Sequence, residues 1–156
     1  QLERVITLFP WIATIDKFQH WVYENPEHTE AERADSWFRI LGEFTSPIID
    51  FSGLDEFRRY AWQRQLHLYE VPFYYIEYGI AQLGAIGLWQ QYRQKPEMAI
   101  NNYITGLALG GTKTLPELFS ATGLKFDLSP GHIRQLMESK NVLESRGGGA
   151  VAGCDT

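Results

Sequence analysis

Cysteine is almost missing from this chain: Cys154 is the single example, so no internal disulfide is possible and nothing points to an oxidising compartment. Long hydrophobic runs are missing as well. No apolar stretch approaches the ~18 residues that a membrane-spanning helix needs, and no charged-then-apolar segment opens the chain in the manner of a signal peptide. A cytoplasmic location is the default expectation. Positive charge is scarce and dispersed: 14 Lys and Arg face 19 Asp and Glu, for a formal net charge of −5. Arg58-Arg59 is the one adjacent basic pair, which argues against a nucleic-acid partner. No Gly-Lys-Ser/Thr phosphate loop occurs, and no serine or cysteine sits in a nucleophile motif. Neither an internal repeat nor a convincing strand pattern is present.

What is abundant is aromatic side chain, with 5 Trp, 8 Tyr and 9 Phe in 156 residues. That length suits one domain with a sizeable core. Apolar residues recur every three or four positions over 2–25, from Leu2 and Val5 through Ile12, Ile15 and Phe18 to Val22, which predicts a helix. Pro10 is expected to kink or divide it, and Asn25-Pro26 to close it. Thr29-Glu30-Ala31-Glu32 reads as a capping box opening a helix to about Thr45, with Trp37, Phe38, Leu41 and Phe44 inward. Ser52 is the expected cap of the next helix, which leads through Phe57, Tyr60 and Arg64 toward His67.

A central helix is expected over about 71–92, rich in small residues such as Gly79, Gly84 and Gly87. Glycine in a helix costs about 1 kcal/mol relative to alanine, so their number implies the close approach of a neighbouring helix or of a bound chain. Pro96 opens a further helix through Ile100, Tyr103, Ile104 and Leu107, stopped by Gly110-Gly111. Thr114-Leu115-Pro116-Glu117 and Ser129-Pro130 start the last two, and His132 is expected to be exposed in the first turn of the second. The fold class is all-α, with about six or seven helices. It extends over 1–145, followed by a flexible glycine-rich tail over 146–156.

One stretch organises the functional reading: His67-Leu68-Tyr69-Glu70-Val71-Pro72-Phe73-Tyr74-Tyr75-Ile76-Glu77-Tyr78. Pro72 suits the first turn of a helix, and Tyr74 and Tyr78, four apart, would then share a face. Spacing leaves two readings open. The tyrosines are core residues whose hydroxyls find a partner, or they line a cleft and stabilise charge on a substrate oxygen. His20, Glu24 and His28 fall at four-residue steps, but Pro26 interrupts the helix that would bring them together as metal ligands.

The run HLYEVPFYYIEYGIAQLGA resembles the C-terminal portion of oligoendopeptidase F and its thimet-oligopeptidase-like zinc-metallopeptidase relatives, and FPWIATIDKFQHWVYENPEHT resembles a segment those enzymes carry after their zinc site. The resemblance covers roughly residues 1 to 143 and is most specific over 67–88. It implies that His67, Tyr74 and Tyr78 are catalytic, holding the scissile carbonyl and the oxyanion of the tetrahedral intermediate. It ranks Tyr75 second, as substrate-binding, and it places Gly110-Gly111 near the cleft. The family's His-Glu-x-x-His motif is nowhere in the sequence, whose four histidines are His20, His28, His67 and His132. The resemblance therefore implies a C-terminal piece of such a peptidase, inactive alone, with zinc held by the intact enzyme and no metal expected here. Its expected partners are short peptides and the zinc-bearing remainder of the enzyme, with dimerisation through an exposed docking face as a further expectation. The other class of reading is a non-catalytic helical binding or scaffold module.

Overall fold

The computed structural model describes residues 2–138. The stretch expected as a flexible tail, with Cys154 in it, lies outside them. Among the described residues the architecture is all-α: α1 (Leu2–Glu24), α2 (Glu30–Glu43), α3 (Asp55–Arg59), a 3₁₀ turn (Ala61–Arg64), α4 (His67–Glu70), α5 (Ile76–Gln94), α6 (Pro96–Ala108), α7 (Leu115–Ala121) and α8 (Pro130–Glu138). No helix among them is long and apolar enough to cross a membrane. Contacts divide the chain into two compact units, and the division falls inside α5, after Gly79.

The first unit is built on an aromatic core. Ile15 and Phe18 of α1, Trp37 and Ile40 of α2, and Trp62 of the 3₁₀ turn are buried together. Phe18 meets Trp37 edge-on with ring centroids 5.1 Å apart, a geometry the ring quadrupoles favour. The Trp37 indole N–H donates to the Arg58 carbonyl at 2.9 Å, which fixes α3 against this core. Full burial of each large side chain contributes about 1.5–3 kcal/mol, so these rings outweigh local helix propensity in setting the unit's shape.

Several local expectations give way to that packing. α1 runs unbroken through Pro10; one missing hydrogen bond is offset by the buried turn that follows, where Ile12, Thr14 and Ile15 lose almost all solvent contact. The α2 capping box forms as expected, with Thr29 and Glu32 satisfying each other's free N–H groups. Ser52 does not cap α3, however. Its hydroxyl and its N–H both go to Asp50 Oδ1, at 2.6 and 2.9 Å, and Leu54 occupies the cap position without a side-chain bond. Asp50 closes an Asx-type turn there, the competing use of such residues.

The central helix begins at Ile76, five residues later than its pattern suggests. Val71–Tyr74 is instead a turn, closed by the Tyr74 N–H on the Val71 carbonyl at 3.2 Å. Pro72 sits at its second position and Phe73 at its third with φ +57°, the arrangement of a type II turn, in which proline is as much at home as at a helix start.

In the second unit, the small residues of α5 meet side chains. A Cβ at Gly84 would lie 3.1 Å from the Phe119 ring, and one at Gly87 would lie 2.9 Å from a Leu124 methyl. The Phe119 ring of α7 and the Leu124 side chain, three residues past the end of that helix, occupy these gaps. α7 opens on a second capping box, Thr114 with Glu117, and Ser129 Oγ accepts the His132 N–H at the start of α8. His132 itself is half-buried, not exposed, because Leu128 and Leu136 join it around a cavity of about 230 Å³. α6 turns Ala99 and Gly106 inward. Its apolar stripe is left bare: Ile100, Tyr103, Ile104 and Leu107 are 45–61% exposed.

Candidate functional site

His67 is the first residue of α4, not part of a loop. The chain bends through Gln65, whose N–H bonds the Trp62 carbonyl and whose carbonyl receives the Leu68 N–H, so the turn that aims His67 is held from both sides. Tyr74 closes the type II turn, Tyr75 follows it, and Tyr78 lies in the first turn of α5. Glu77 N–H bonds the Tyr74 carbonyl and Tyr78 N–H the Tyr75 carbonyl, which winds the tyrosine-bearing turn directly into the helix.

These elements bring three phenol rings around one imidazole. Tyr75 meets the His67 ring edge-on at 4.9 Å, Tyr78 does so at 5.7 Å, and Tyr74 lies nearly parallel at 6.4 Å. Tyr74 and Tyr78 themselves contact edge-on at 5.7 Å. They meet although Tyr74 is outside the helix: the turn brings it to its neighbour, where the expected route was a shared helix face. His67 Nε2 and the Tyr78 hydroxyl are hydrogen-bonded at 3.1 Å. Tyr74 and Tyr78 are 48% and 38% exposed, whereas His67 is half-buried and Tyr75 packs against the aromatic core.

The turn is anchored from beneath by α1. Gln19 accepts the Phe73 N–H, while the His20 and Tyr23 rings pack on the Phe73 ring at 4.9 and 5.1 Å. Neither Gln19 nor Gln65 stood out in the sequence, since a glutamine two residues before a histidine or one turn inside a helix carries no motif. Tyr69, beside His67 on α4, stacks on Trp62; burial pushes its phenol up, and the charge of Arg33 opposes this. Gly110 and Gly111 belong to the second unit. Gly110 has φ +53° and its N–H bonds the Leu107 carbonyl, which is the left-handed stop that ends a helix.

The sequence profile described as peptidase family M3 matches residues 1–138. The chain belongs to peptidase family M3. A solved structure of PZ peptidase A with inhibitor 2 is 36% identical and superposes with a TM-score of 0.80, over 87% of this chain and 24% of that one. A structure of an oligoendopeptidase F is 32% identical with a TM-score of 0.83, over 92% of this chain and 25% of that one. This M3 chain therefore spans about a quarter of the length of the solved structures it matches. Comparison with curated proteins gives no match.

Membership implies a zinc site, and the described residues of this M3 chain do not fit one. His-Glu-x-x-His is absent from the sequence, and among the described residues no three His, Cys, Asp or Glu side chains gather closely enough to hold a metal ion. His20 lies 3.7 Å from Asp16, and His28 turns back on Asn25 and Arg33, so neither shares a donor set with the other.

Proposed function

We propose that this chain is the C-terminal part of a zinc-dependent oligopeptidase that hydrolyses short peptides, and that it supplies the wall which binds the scissile carbonyl and its oxyanion. The observation that carries this reading is the His67–Tyr78 hydrogen bond, at 3.1 Å, on an exposed surface with the Tyr74 ring edge-on to that of Tyr78. A tetrahedral intermediate places a full negative charge on one oxygen. Pre-positioned phenol donors stabilise that charge more than they stabilise the neutral carbonyl, and this difference accelerates the step. Tyr74 and Tyr78 act in this way, His67 acts through the Tyr78 hydroxyl to which it is bonded, and Tyr75 holds the imidazole ring from the side.

Zinc and its ligands belong, in this reading, to the part of the enzyme that this chain lacks, and the chain alone does not hydrolyse peptides. The bare stripe of Ile100, Tyr103, Ile104 and Leu107 on α6 supports it. A self-contained scaffold module seldom leaves such a contiguous apolar face in water, whereas a docking surface for the zinc-bearing part requires one. The same face gives the isolated chain a means of self-association.

In the intact enzyme, Tyr78→Phe and Tyr74→Phe each lower kcat by about 10²–10³-fold, the usual effect of removing one oxyanion donor, equal to about 2.7–4 kcal/mol. Steady-state kinetics on a short fluorogenic peptide reads this directly. Unchanged kcat in both variants refutes the oxyanion role.

A further inference from the structure

We infer that Gln65 is a positioning residue: its side-chain amide fixes which nitrogen of His67 carries the proton, and thereby which way the Tyr78 hydroxyl points. The inference rests on the functional reading above only for its kinetic consequence; the proton assignment stands on geometry.

Gln65 Nε2 lies 2.7 Å from His67 Nδ1, and His67 Nε2 lies 3.1 Å from Tyr78 Oη. An amide nitrogen is a donor only. Facing Nδ1, it requires that nitrogen to present its lone pair, so a neutral imidazole carries its proton on Nε2. Nε2–H then donates to the Tyr78 oxygen. A phenol oxygen that accepts keeps its own hydrogen free, and that hydrogen is directed away from His67 into the open side of the site. The opposite tautomer reverses every arrow: Nε2 would accept from Tyr78, and the phenol hydrogen would be turned inward, where no substrate oxygen can reach it. One amide two residues upstream thus selects between an outward and an inward donor.

The backbone makes Gln65 suited to this task. It closes the 3₁₀ turn with its N–H on the Trp62 carbonyl and starts α4 with its carbonyl on the Leu68 N–H. The side chain therefore leaves a fixed point, and both it and the imidazole are half-buried, which strengthens a hydrogen bond relative to one in open water. The groups facing the imidazole are the Gln65 amide and the rings of Tyr74, Tyr75 and Tyr78. No carboxylate is among these contacts to impose the other tautomer, as a carboxylate on Nδ1 would.

The test is long-range ¹H–¹⁵N correlation on histidine-labelled protein, with the His67 signals assigned by their loss in His67→Asn. The expected result is a bare Nδ1 and a protonated Nε2 in the unaltered protein. In Gln65→Glu, whose carboxylate only accepts, Nδ1 gains a proton. In Gln65→Leu the two tautomers mix. A protonated Nδ1 in the unaltered protein, or a Nδ1 that stays bare in Gln65→Glu, overturns the inference, and the first of these outcomes needs no variant to fold. In the intact enzyme, Gln65→Leu lowers kcat severalfold with little change in KM, and Gln65→Asn, which keeps the donor on a shorter arm, recovers part of it. If the tautomer follows Gln65 while kcat does not respond, the proton assignment holds and the oxyanion role proposed for Tyr78 fails.

Discussion

Gln19 Oε1 accepts the backbone N–H of Phe73 at 2.9 Å, joining the C-terminal part of α1 to the one non-glycine residue of positive φ among the described residues. Gln19 is 3% exposed, and its Nε2 is buried without a partner. A left-handed φ at a phenylalanine is held by its surroundings at a cost of about 1–3 kcal/mol. Gln19 and the rings of His20 and Tyr23 are those surroundings. Gln19→Leu leaves the Phe73 N–H without its acceptor, a loss of about 1–3 kcal/mol, reduced in part because the unpartnered Nε2 goes too. The urea midpoint should fall, and limited proteolysis should reach the 71–75 segment sooner. An unshifted midpoint with unchanged cleavage would show that α1 does not hold the turn.

Gly106 of α6 faces Thr122 so closely that a Cβ there would overlap the Thr122 Cγ2 methyl. Alanine in a helix interior ordinarily gains about 1 kcal/mol over glycine, but overpacking removes about 1–3 kcal/mol. Gly106→Ala is therefore expected to destabilise the second unit. Adding Thr122→Ser deletes the methyl and keeps the hydroxyl, which donates to the Phe119 carbonyl at 2.7 Å. The double variant should recover stability, measured by thermal unfolding. Equal losses in single and double variants would place the cost elsewhere.

Acid should loosen the fold through its caps. Glu32 and Glu117 are held below the usual carboxylate range, chiefly by the backbone N–H groups of Thr29 and Thr114 and next by those residues' hydroxyls. Asp127 is held lower still, first by Lys125 and then by Ser129. A carboxylate whose folded value is depressed contributes stability above its unfolded value, and that contribution is lost as pH falls through the folded one. Tm is thus expected to be flat with respect to these groups near neutrality and to decline below about pH 4, the ordinary carboxylate range. Thr29→Ala combined with Thr114→Ala lowers Tm at pH 7 and makes the acid decline shallower; a parallel decline would detach these caps from it.

Much of this was legible in the sequence, and the failures share a cause. The capping boxes at Thr29 and Thr114 and the glycine stop at Gly110 are local devices, so local reading finds them. The grouping of His67, Tyr74, Tyr75 and Tyr78 was also reached, although by the wrong route. Pro72 is compatible with a helix start and with a type II turn, and what selects the turn is Gln19, 54 positions from Phe73 along the chain. No window around Pro72 contains that information. The late start of α5, the diversion of Ser52 to Asp50 and the burial of Ile40 all depend in the same way on partners that lie outside the local pattern. The apolar periodicity of α6 was read correctly as a stripe; its exposure could not be read, because periodicity records that a face needs cover and not where the cover comes from. Gln65 had no signature at all, since one amide contact to an imidazole leaves no trace in spacing.

The His67–Tyr78 bond has a consequence for how many arms this wall extends. An N–H already spent on a neighbour's oxygen is withheld from any visitor, so imidazole and phenol behave as a single limb with one fingertip, the phenol hydrogen. Histidine here is the shoulder joint, felt by an arriving molecule only through the hand it steadies.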